Sequence, residues 1–219
     1  MPVPAWANYE VVNNRDTPGG PPYSLRGAIT AANTTGGGSS NPVTFSPTVG
    51  GLTTILGSQI PLTSSNIVTI DTSTLSTPFT VNGIGGGWLA PYGIEYSGAQ
   101  SGGVSLIGNG YLTFDHSGFI NTSPSTMNLN VAGGNISFAV IGGFFNQSAG
   151  GTMNILINGG NLSTSLTYIF GSCFTNNNTG IMNLTIQSGN FSLPALSGIL
   201  NNSTAPGTAM AVNISGGAR

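Results

Sequence analysis

The side chains that could carry acid–base chemistry are few and far apart in this sequence. There are five acidic residues, one histidine and no lysine, and the acidic residues are Glu10, Asp16, Asp71, Glu95 and Asp115. A polysaccharide hydrolase needs two carboxylates roughly 5–9.5 Å apart. A lyase needs a base together with a metal or a cationic clamp. The sequence offers neither set as a cluster, so it predicts no catalytic residue and no enzyme.

One pair of acids is worth testing against a structure. The separation of Glu95 and Asp115 along the chain approximates one short coil of a solenoid, which would bring the two carboxylates close together. His116, the only histidine, follows Asp115 directly. Adjacent residues of a strand face opposite sides, so we expect Asp115 to be a turn acid and His116 a separate surface residue.

The remaining reactive groups favour structural roles. Asp16 and Arg26 flank a predicted helix, which favours an ion pair or a capping hydrogen bond over catalysis. Cys173 is the only cysteine, so it forms no intrachain disulfide, and its context GSCFTNN supplies no base that would activate the thiol. The sequence contains no phosphate-binding loop, no Cys/His set with metal-ligand spacing and no Ser-His-Asp arrangement. We therefore expect no cofactor and no metal.

Asn-x-Ser/Thr triplets are the most frequent candidate modification sites. Two groups follow the repeat described below and are the candidate glycosylation sites. Asn135, Asn161 and Asn190 occupy one repeat position, and Asn121, Asn146, Asn177 and Asn202 lie near another. In a glycosylating compartment they would form rows of surface glycans. The alternative is that Asn, Ser and Thr are common, that the repeat copies their chance triplets, and that the asparagines stack as ladders without sugar.

The composition excludes several classes of protein. Only 4% of the 219 residues are charged, the formal net charge is −2, and 38% are hydrophobic. Neutralising phosphates takes clustered Lys and Arg, so we expect no nucleic-acid partner. No apolar run approaches the ~18 residues of a membrane span. The apolar residues alternate with Asn, Ser and Thr, as half-buried strands do, which predicts an ordered β-rich protein.

The elements that position these side chains come from a repeat. MNLNVAGGNIS begins at Met127, MNILINGGNLS at Met153, MNLTIQSGNFS at Met182 and MAVNISGG at Met210. An interval of roughly 26–29 residues is the mark of a solenoid, whose units bury their apolar faces against their neighbours. Equivalent alternating positions predict one interior column, formed by Leu129, Ile155, Leu184 and Val212.

The predicted fold is all-β, a right-handed parallel β-helix with a short N-terminal capping helix. The helix covers 24–33, with Ser24 as its cap and an apolar face at i, i+3, i+4 and i+7 spacing. Residues 1–42 form the N-terminal arm and capping helix, and residues 43–219 form the β-helix, whose repeats are clearest in 117–219. At ~26 residues per rung and ~4.8 Å between rungs, this region makes about 7 rungs.

Residues 9–71 resemble the opening of right-handed parallel β-helix passenger domains in bacterial surface proteins of the autotransporter and adhesin type. The matching stretches are YEVVNNRDTPGGPPYSLRGAITAANTT and NPVTFSPTVGGLTTILGSQIPLTSSNIVTID. In that family a Gly-rich turn precedes a Ser-Leu-Arg-x-Ala-Ile helix and a series of short strands. The resemblance covers about a third of the chain and implies that helix 24–33 covers the N-terminal end of the core. Because such folds carry many activities, it does not fix a function.

We expect a structural protein that assembles head-to-tail into a fibre, coat or appendage. The last repeat would expose Val212 and Ile214 as the assembly interface, because an open strand edge templates further pairing. The N-terminal arm could reach across the joint to complete the neighbour's last rung. The partners would be further copies of the chain and, in the alternative adhesin interpretation, glycans. A polysaccharide-active enzyme and an ice-binding solenoid are the remaining alternatives.

The expected location is extracellular, on a cell surface or on a virion surface. The N-terminal stretch MPVPAWANYE lacks the basic region followed by an apolar run that marks a signal peptide.

Overall fold

The structure is a computed structural model, and it describes residues 9–18, 23–36, 41–86, 92–165, 172–192, 198–203 and 210–215. Within these ranges the chain forms one α-helix, two single 3₁₀ turns (Pro47–Val49 and Ile84–Gly86) and short parallel strands. The helix is α1 (Leu25–Thr35). The strands are β1 (Tyr9–Val11), β2 (Val43–Phe45), β3 (Thr53–Ile55), β4 (Ile60–Leu62), β5 (Ile67–Asp71), β6 (Phe79–Asn82), β7 (Ile94–Tyr96), β8 (Gly102–Ile107), β9 (Tyr111–Asp115), β10 (Gly118–Asn121), β11 (Thr126–Val131), β12 (Asn135–Ala139), β13 (Gly143–Asn146), β14 (Thr152–Ser165), β15 (Ser172–Asn178), β16 (Ile181–Ser192), β17 (Gly198–Ser203) and β18 (Met210–Ile214).

The strands stack into three parallel ladders, which makes the fold an all-β parallel β-solenoid, as the sequence predicts. Ladder A contains β1, β2, β5, β8, β11, the first halves of β14 and β16, and β18. Ladder B contains β3, β6, β9, β12 and the second halves of β14 and β16. Ladder C contains β4, β7, β10, β13, β15 and β17. One strand of each ladder makes up a coil.

Ladders B and C have six described strands each and so complete about five turns, fewer than the 7 rungs that the sequence predicts, while ladder A extends beyond them with β1 and β18. The repeat length taken from the C-terminal motifs does not hold in the N-terminal half. In the C-terminal half, the stacked residues Asn128 and Asn154 are 26 positions apart, and Asn154 and Asn183 are 29 positions apart. In the N-terminal half, Val68 in β5 lies beside Val104 in β8, so this turn is considerably longer. It contains the segment between β6 and β7, which adds residues without adding a rung.

The predicted interior column is confirmed in its register. Leu129 lies beside Ile155, Ile155 beside Leu184, and Leu184 beside Val212. The first three side chains are buried, whereas Val212 is 44% exposed because no described strand lies beyond β18. Ladder C contributes a parallel stack of rings to the same core, with Phe119, Phe144 and Phe174 at centroid separations of 5.7 and 5.0 Å.

Glycines turn the corner between ladders A and B. Gly134, Gly160 and Gly189 have φ values of 84°, 69° and 97°, in the left-handed region that favours glycine. A Cβ at Gly160 would lie 2.5 Å from the carbonyl oxygen of Gly134, one coil earlier. These corners therefore require glycine for both conformation and space, which explains its recurrence in the GGN and SGN motifs.

The N-terminal end of the core is covered by α1. Ser24 caps the helix by accepting a hydrogen bond from the Gly27 backbone N–H at 3.1 Å, and the helix ends at Gly36 in the left-handed conformation. The apolar face expected from the spacing is buried; it consists of Leu25, Ala28, Ile29 and Ala32. The arm before the helix is not irregular throughout, because β1 pairs in parallel with β2. Residues 9–11 are thus engaged with their own solenoid, and this part of the arm is not free to complete a neighbour's rung.

A buried charge provides a test of the interior column. Replacing Ile155 by Asp should lower the free energy of unfolding by several kcal/mol, because the carboxylate would be desolvated without a partner. The neighbouring Leu156→Asp is the matched control, since Leu156 lies on the outer face of the same strand and is only partly buried. The measurement is urea unfolding followed by circular dichroism. Equal losses for the two variants would contradict the inward register of Ile155.

Candidate functional site

The two acidic residues singled out in the sequence, Glu95 and Asp115, have different hydrogen-bond partners. Glu95 belongs to ladder C and accepts a hydrogen bond from the Thr122 hydroxyl at 2.7 Å. Asp115 belongs to ladder B and accepts one from the Asn82 amide at 2.9 Å. The two residues therefore do not stack one coil apart in the same ladder, as their spacing along the chain would allow. Among the described residues, no three His, Cys, Asp or Glu side chains come together as a metal site.

The expectation that Asp115 and His116 act apart is also wrong. The His116 ring nitrogen Nδ1 lies 2.9 Å from Asp115 Oδ1, and His116 is buried rather than on the surface. Strand β9 ends at Asp115, and His116 has φ 45°. The left-handed backbone breaks the alternation of the strand, and this allows two consecutive side chains to meet.

Cys173 is fully buried, and burial raises the pKa of its thiol. A thiol held in its neutral form is a poor nucleophile. The expected core role of Cys173 therefore agrees with its position in ladder C.

The ion pair expected between Asp16 and Arg26 is present and closes the N-terminal end. Arg26 is 7% exposed, and its Nε and Nη2 donate to the two Asp16 carboxylate oxygens at 2.7 and 3.0 Å. The guanidinium also donates to the backbone carbonyl oxygens of Ser58 and Gln59 at 2.7 and 2.6 Å. A planar, bidentate guanidinium is suited to such a multiple contact.

Neighbouring side chains satisfy further backbone groups of the first coil. Asp16 accepts from the Gly57 N–H at 2.7 Å, and the Asn14 amide donates to the Thr53 carbonyl oxygen at 2.8 Å. At the end of α1, the Asn33 side chain accepts from the Ser64 hydroxyl at 2.8 Å. The exposed side of the first coil is thus hydrogen-bonded to its own chain.

A row of asparagines, buried except for its last member Asn201, runs along ladder C. Asn121 donates to the Oδ1 of Asn146 at 3.0 Å, Asn146 to that of Asn176 at 2.9 Å, and Asn176 to that of Asn201 at 3.0 Å. The amide nitrogens of the first three also donate to backbone carbonyl oxygens, at 3.1, 2.9 and 3.0 Å. We call Asn121, Asn146, Asn176 and Asn201 the inner amide row.

The inner amide row corrects two candidate glycosylation sites. Asn121 and Asn146 are 0% exposed, and both are hydrogen-bonded on their amide nitrogens, so neither has room for a glycan in this fold. The register also shows that Asn176 and Asn201, not Asn177 and Asn202, are their equivalents. Asn177 and Asn202 are partly or fully exposed and line a cleft of about 450 Å³ with Thr122, Gln147 and Asn178.

Two outer amide rows run along the surface. In the first, Asn161 donates to the Oδ1 of Asn135 at 2.6 Å, and Asn190 donates to that of Asn161 at 2.7 Å. In the second, Asn154 donates to the Oδ1 of Asn128 at 3.0 Å, and Asn183 donates to that of Asn154 at 2.9 Å. Asn135, Asn161 and Asn190 are at least partly exposed and remain candidate glycosylation sites. Both rows are hydrogen-bonded ladders of asparagines that form without a glycan. Such ladders are the alternative to glycosylation that the sequence analysis left open.

The second outer row forms one wall of a shallow groove on the face of ladder A. The groove has a volume of about 390 Å³, and its lining includes Asn128, Asn130, Asn154, Leu156, Asn183, Thr185 and Gln187. The lining is amide, hydroxyl and aliphatic, without a charged or aromatic side chain. The Oδ1 of Asn130 is buried there without a hydrogen-bond partner.

The C-terminal end of the core differs from the N-terminal end. Three positions that continue interior columns are exposed: Ile199 by 42%, Val212 by 44% and Ile214 by 59%. Their neighbours one coil earlier, Phe174, Leu184 and Ile186, are buried. Both residues of the predicted assembly interface, Val212 and Ile214, therefore lie exposed at this end. Sequence reasoning missed Ile199, although its place in the repeat, one coil after Phe174, carried the signal.

In the described part of the chain, the fold is a parallel β-solenoid whose first coil is covered by α1 and whose last coil exposes apolar side chains. Comparison of the chain with models of known protein families, with curated proteins and with solved structures gives no match. No helix in the described part of the chain is long and apolar enough to cross a membrane.

The inner amide row yields a second test of stability. Asn146→Ala should lower the free energy of unfolding by about 2 kcal/mol or more, because it leaves the Ile181 carbonyl oxygen and one amide N–H of Asn121 buried without partners. Asn154→Ala removes an equivalent amide from an outer row, where water can replace it, and should lose less than about 1 kcal/mol. Denaturant unfolding measures both. Similar losses in the free energy of unfolding for the two variants would show that burial does not increase the contribution of the inner amide row to stability.

Proposed function

We propose that the chain is a structural protein whose solenoids associate end to end into a fibre, coat or appendage. The observation that carries the proposal is the exposure of three residues in the last described coils: Ile199, Val212 and Ile214 continue interior columns and are 42–59% exposed. Exposed apolar side chains beside an unpaired strand edge favour pairing with another chain.

The charge distribution supports self-association. Between His116 and Arg219 the sequence contains no charged residue. Charges at a strand edge and like-charge repulsion are the usual means of keeping such an end monomeric. Neither operates among the described residues of this half, so the described surface itself does not repel a second copy.

The proposed location is an extracellular, cell or virion surface. The resemblance of residues 9–71 to passenger domains of the autotransporter and adhesin type supports it. So does the composition, since a fold held by backbone hydrogen bonds and neutral amides depends little on pH or salt. The inner amide row, the two outer amide rows and the stack of phenylalanine rings all run along the axis of the solenoid.

Self-association gives the test of this function. Sedimentation velocity over a range of concentrations should show reversible growth above monomer mass. Val212→Asp should raise the association Kd at least tenfold, because it places a charge where apolar contact is expected. Val212 is already half-exposed, so the variant should stay folded by circular dichroism.

The matched control is Thr113→Asp, which adds the same charge to the side of the solenoid in β9. It should associate like the parent protein. Parent protein that remains monomeric at every concentration, with no fibres by negative-stain microscopy, would refute the proposed function.

A second candidate is an adhesin-type module that binds a neutral glycan in the groove on ladder A. Amides repeat along the groove at the strand spacing of ~4.8 Å, which resembles the advance per sugar of an extended β-linked chain. The Oδ1 of Asn130 has no hydrogen-bond partner and lies below the surface of the groove, so a sugar hydroxyl would reach it after a small rotation of the Asn130 side chain. The absence of an aromatic platform from the lining ranks this candidate second.

The groove is tested by titrating neutral β-linked oligosaccharides in a calorimeter. If the groove binds them, Asn130→Ala should weaken binding about tenfold, because it removes an acceptor from a desolvated site. Asn135→Ala, in the outer row away from the groove, should leave binding unchanged. No heat of binding at millimolar oligosaccharide would exclude this candidate.

A further inference from the structure

We propose that the chain carries two sites of spontaneous modification, at which Asn109 and Asn158 lose their side-chain amides in the folded protein. This reaction is easiest where glycine follows asparagine, because glycine has no Cβ to hinder the approach of its backbone nitrogen to the asparagine side chain. The sequence contains three such pairs, which begin at Asn82, Asn109 and Asn158. Their surroundings in the fold separate the first pair from the other two. The inference is independent of the proposed function.

The reaction needs only water as a co-reactant. The backbone nitrogen of the glycine attacks the asparagine Cγ, so that a new C–N bond closes a succinimide ring and the bond from Cγ to Nδ2 breaks. Nδ2 leaves as ammonia and takes with it the proton of the glycine N–H. Water then opens the ring at one of its two carbonyl carbons. The product is aspartate or isoaspartate, and both carry one new negative charge.

The fold protects Asn82 from this reaction. Its Nδ2 donates to Asp115 Oδ2 at 2.9 Å, and its Oδ1 accepts from the Ile84 N–H at 3.0 Å. The nitrogen that would attack, that of Gly83, donates a hydrogen bond to the Asp115 carbonyl oxygen at 3.0 Å. The Asn82 side chain cannot turn towards Gly83 unless these hydrogen bonds break. Asn82 is therefore an internal control.

Asn109 has none of these restraints. It is exposed, it lies in the bend between β8 and β9, and its side chain makes no hydrogen bond with the described residues. The Gly110 N–H donates to no described residue either. The Asn109 carbonyl oxygen accepts from Asn135 Nδ2 at 2.9 Å, which holds the peptide group while the side chain remains able to rotate. Both reacting groups are thus available.

Asn158 lies two coils later, at the same corner between ladders A and B. It is exposed, and its side chain makes no hydrogen bond with the described part of the chain. The register of β14 against β16 shifts between Ile157 and Asn158 and again between Asn158 and Asn161. Such an interruption leaves the local backbone outside the regular ladder. The side chain of Asn158 can therefore turn towards the nitrogen of Gly159.

Conversion at either site changes a nearly uncharged surface. The formal net charge is −2, and each conversion adds one negative charge. Asn158 lies between His116 and Arg219, in a stretch without a charged residue, so its new carboxylate would be the first charge there. Isoaspartate also lengthens the main chain by one carbon atom at a corner where successive coils are closely packed. The modification therefore alters both the charge and the backbone of this corner.

Heavy-oxygen water tests both sites in the folded chain. The protein is incubated in labelled water for several weeks at mildly alkaline pH, digested in ordinary water, and its peptides are measured by mass spectrometry. The label enters only where water opened a succinimide during the incubation, so conversion during digestion is not counted. The peptides that contain Asn109 and Asn158 should carry the label, and the peptide that contains Asn82 should not.

Glutamine provides the matched variants. Asn109→Gln and Asn158→Gln keep the amide, but attack on it would have to close a larger ring, which forms more slowly. Each variant should lose the label at its own site and keep it at the other. Isoelectric focusing gives an independent readout, because the parent protein should gain more acidic species with time and the double variant should remain a single band.

The chain unfolded in urea is the control for protection by the fold. All three pairs should then take up the label, since the hydrogen bonds of Asn82 are lost. Labelling of Asn82 in the folded protein as fast as Asn109 and Asn158 would overturn the inference, because the fold would not select the sites. A folded protein that stays unlabelled at Asn109 and Asn158, while the unfolded chain is labelled at all three asparagines, would overturn it as well.

Discussion

Parallel strands that are hydrogen-bonded in register place each residue beside its counterpart one turn earlier, and the side-chain chemistry of the solenoid follows from this. At ~4.8 Å between strands, a column of carboxylates or ammonium groups would repel itself along its whole length, whereas an amide donates to one neighbour and accepts from the other. The repeats accordingly stack asparagine on asparagine and phenylalanine on phenylalanine. Three acids outside the stacks each have a separate partner: Asp16 has Arg26, Glu95 has Thr122 and Asp115 has Asn82.

The C-terminal half could be predicted from the sequence because its repeat is nearly periodic. The motifs at Met127, Met153 and Met182 align residue for residue in ladder A, and the interior column follows from them. The N-terminal half has no such period. The turn from β5 to β8 is longer than the C-terminal repeat, so that repeat overestimates the number of rungs. Strand β1 has only three residues, too few to be recognised from the sequence. Its pairing with β2 depends on tertiary contact rather than on local pattern.

The side-chain arrangements that escaped prediction depend on details of the backbone. Asn176 and Asn177 are adjacent and chemically identical, so only the register of β15 decides which one joins the inner row. Similarly, Asp115 and His116 meet because the chain enters a left-handed turn just after β9, which no alternation of residue types reveals. The Asp16–Arg26 pair could be predicted because both residues flank a recognisable helix. The hydrogen bonds from Arg26 to the Ser58 and Gln59 carbonyl oxygens could not be predicted, because they depend on how α1 packs against the first coil.

The opposite directions of the amide rows have an electrostatic consequence. The inner row donates towards the C-terminal end, and the two outer rows donate towards the N-terminal end. Their side-chain dipoles therefore point in opposite senses along the axis and largely offset one another, and β-sheets themselves have only small net dipoles. A rod of this kind has little axial moment, in contrast to an α-helix, whose aligned peptides give it a positive and a negative end. Its orientation towards any neighbour is therefore selected at contact range, by shape and hydrogen bonding, rather than steered from a distance by its field.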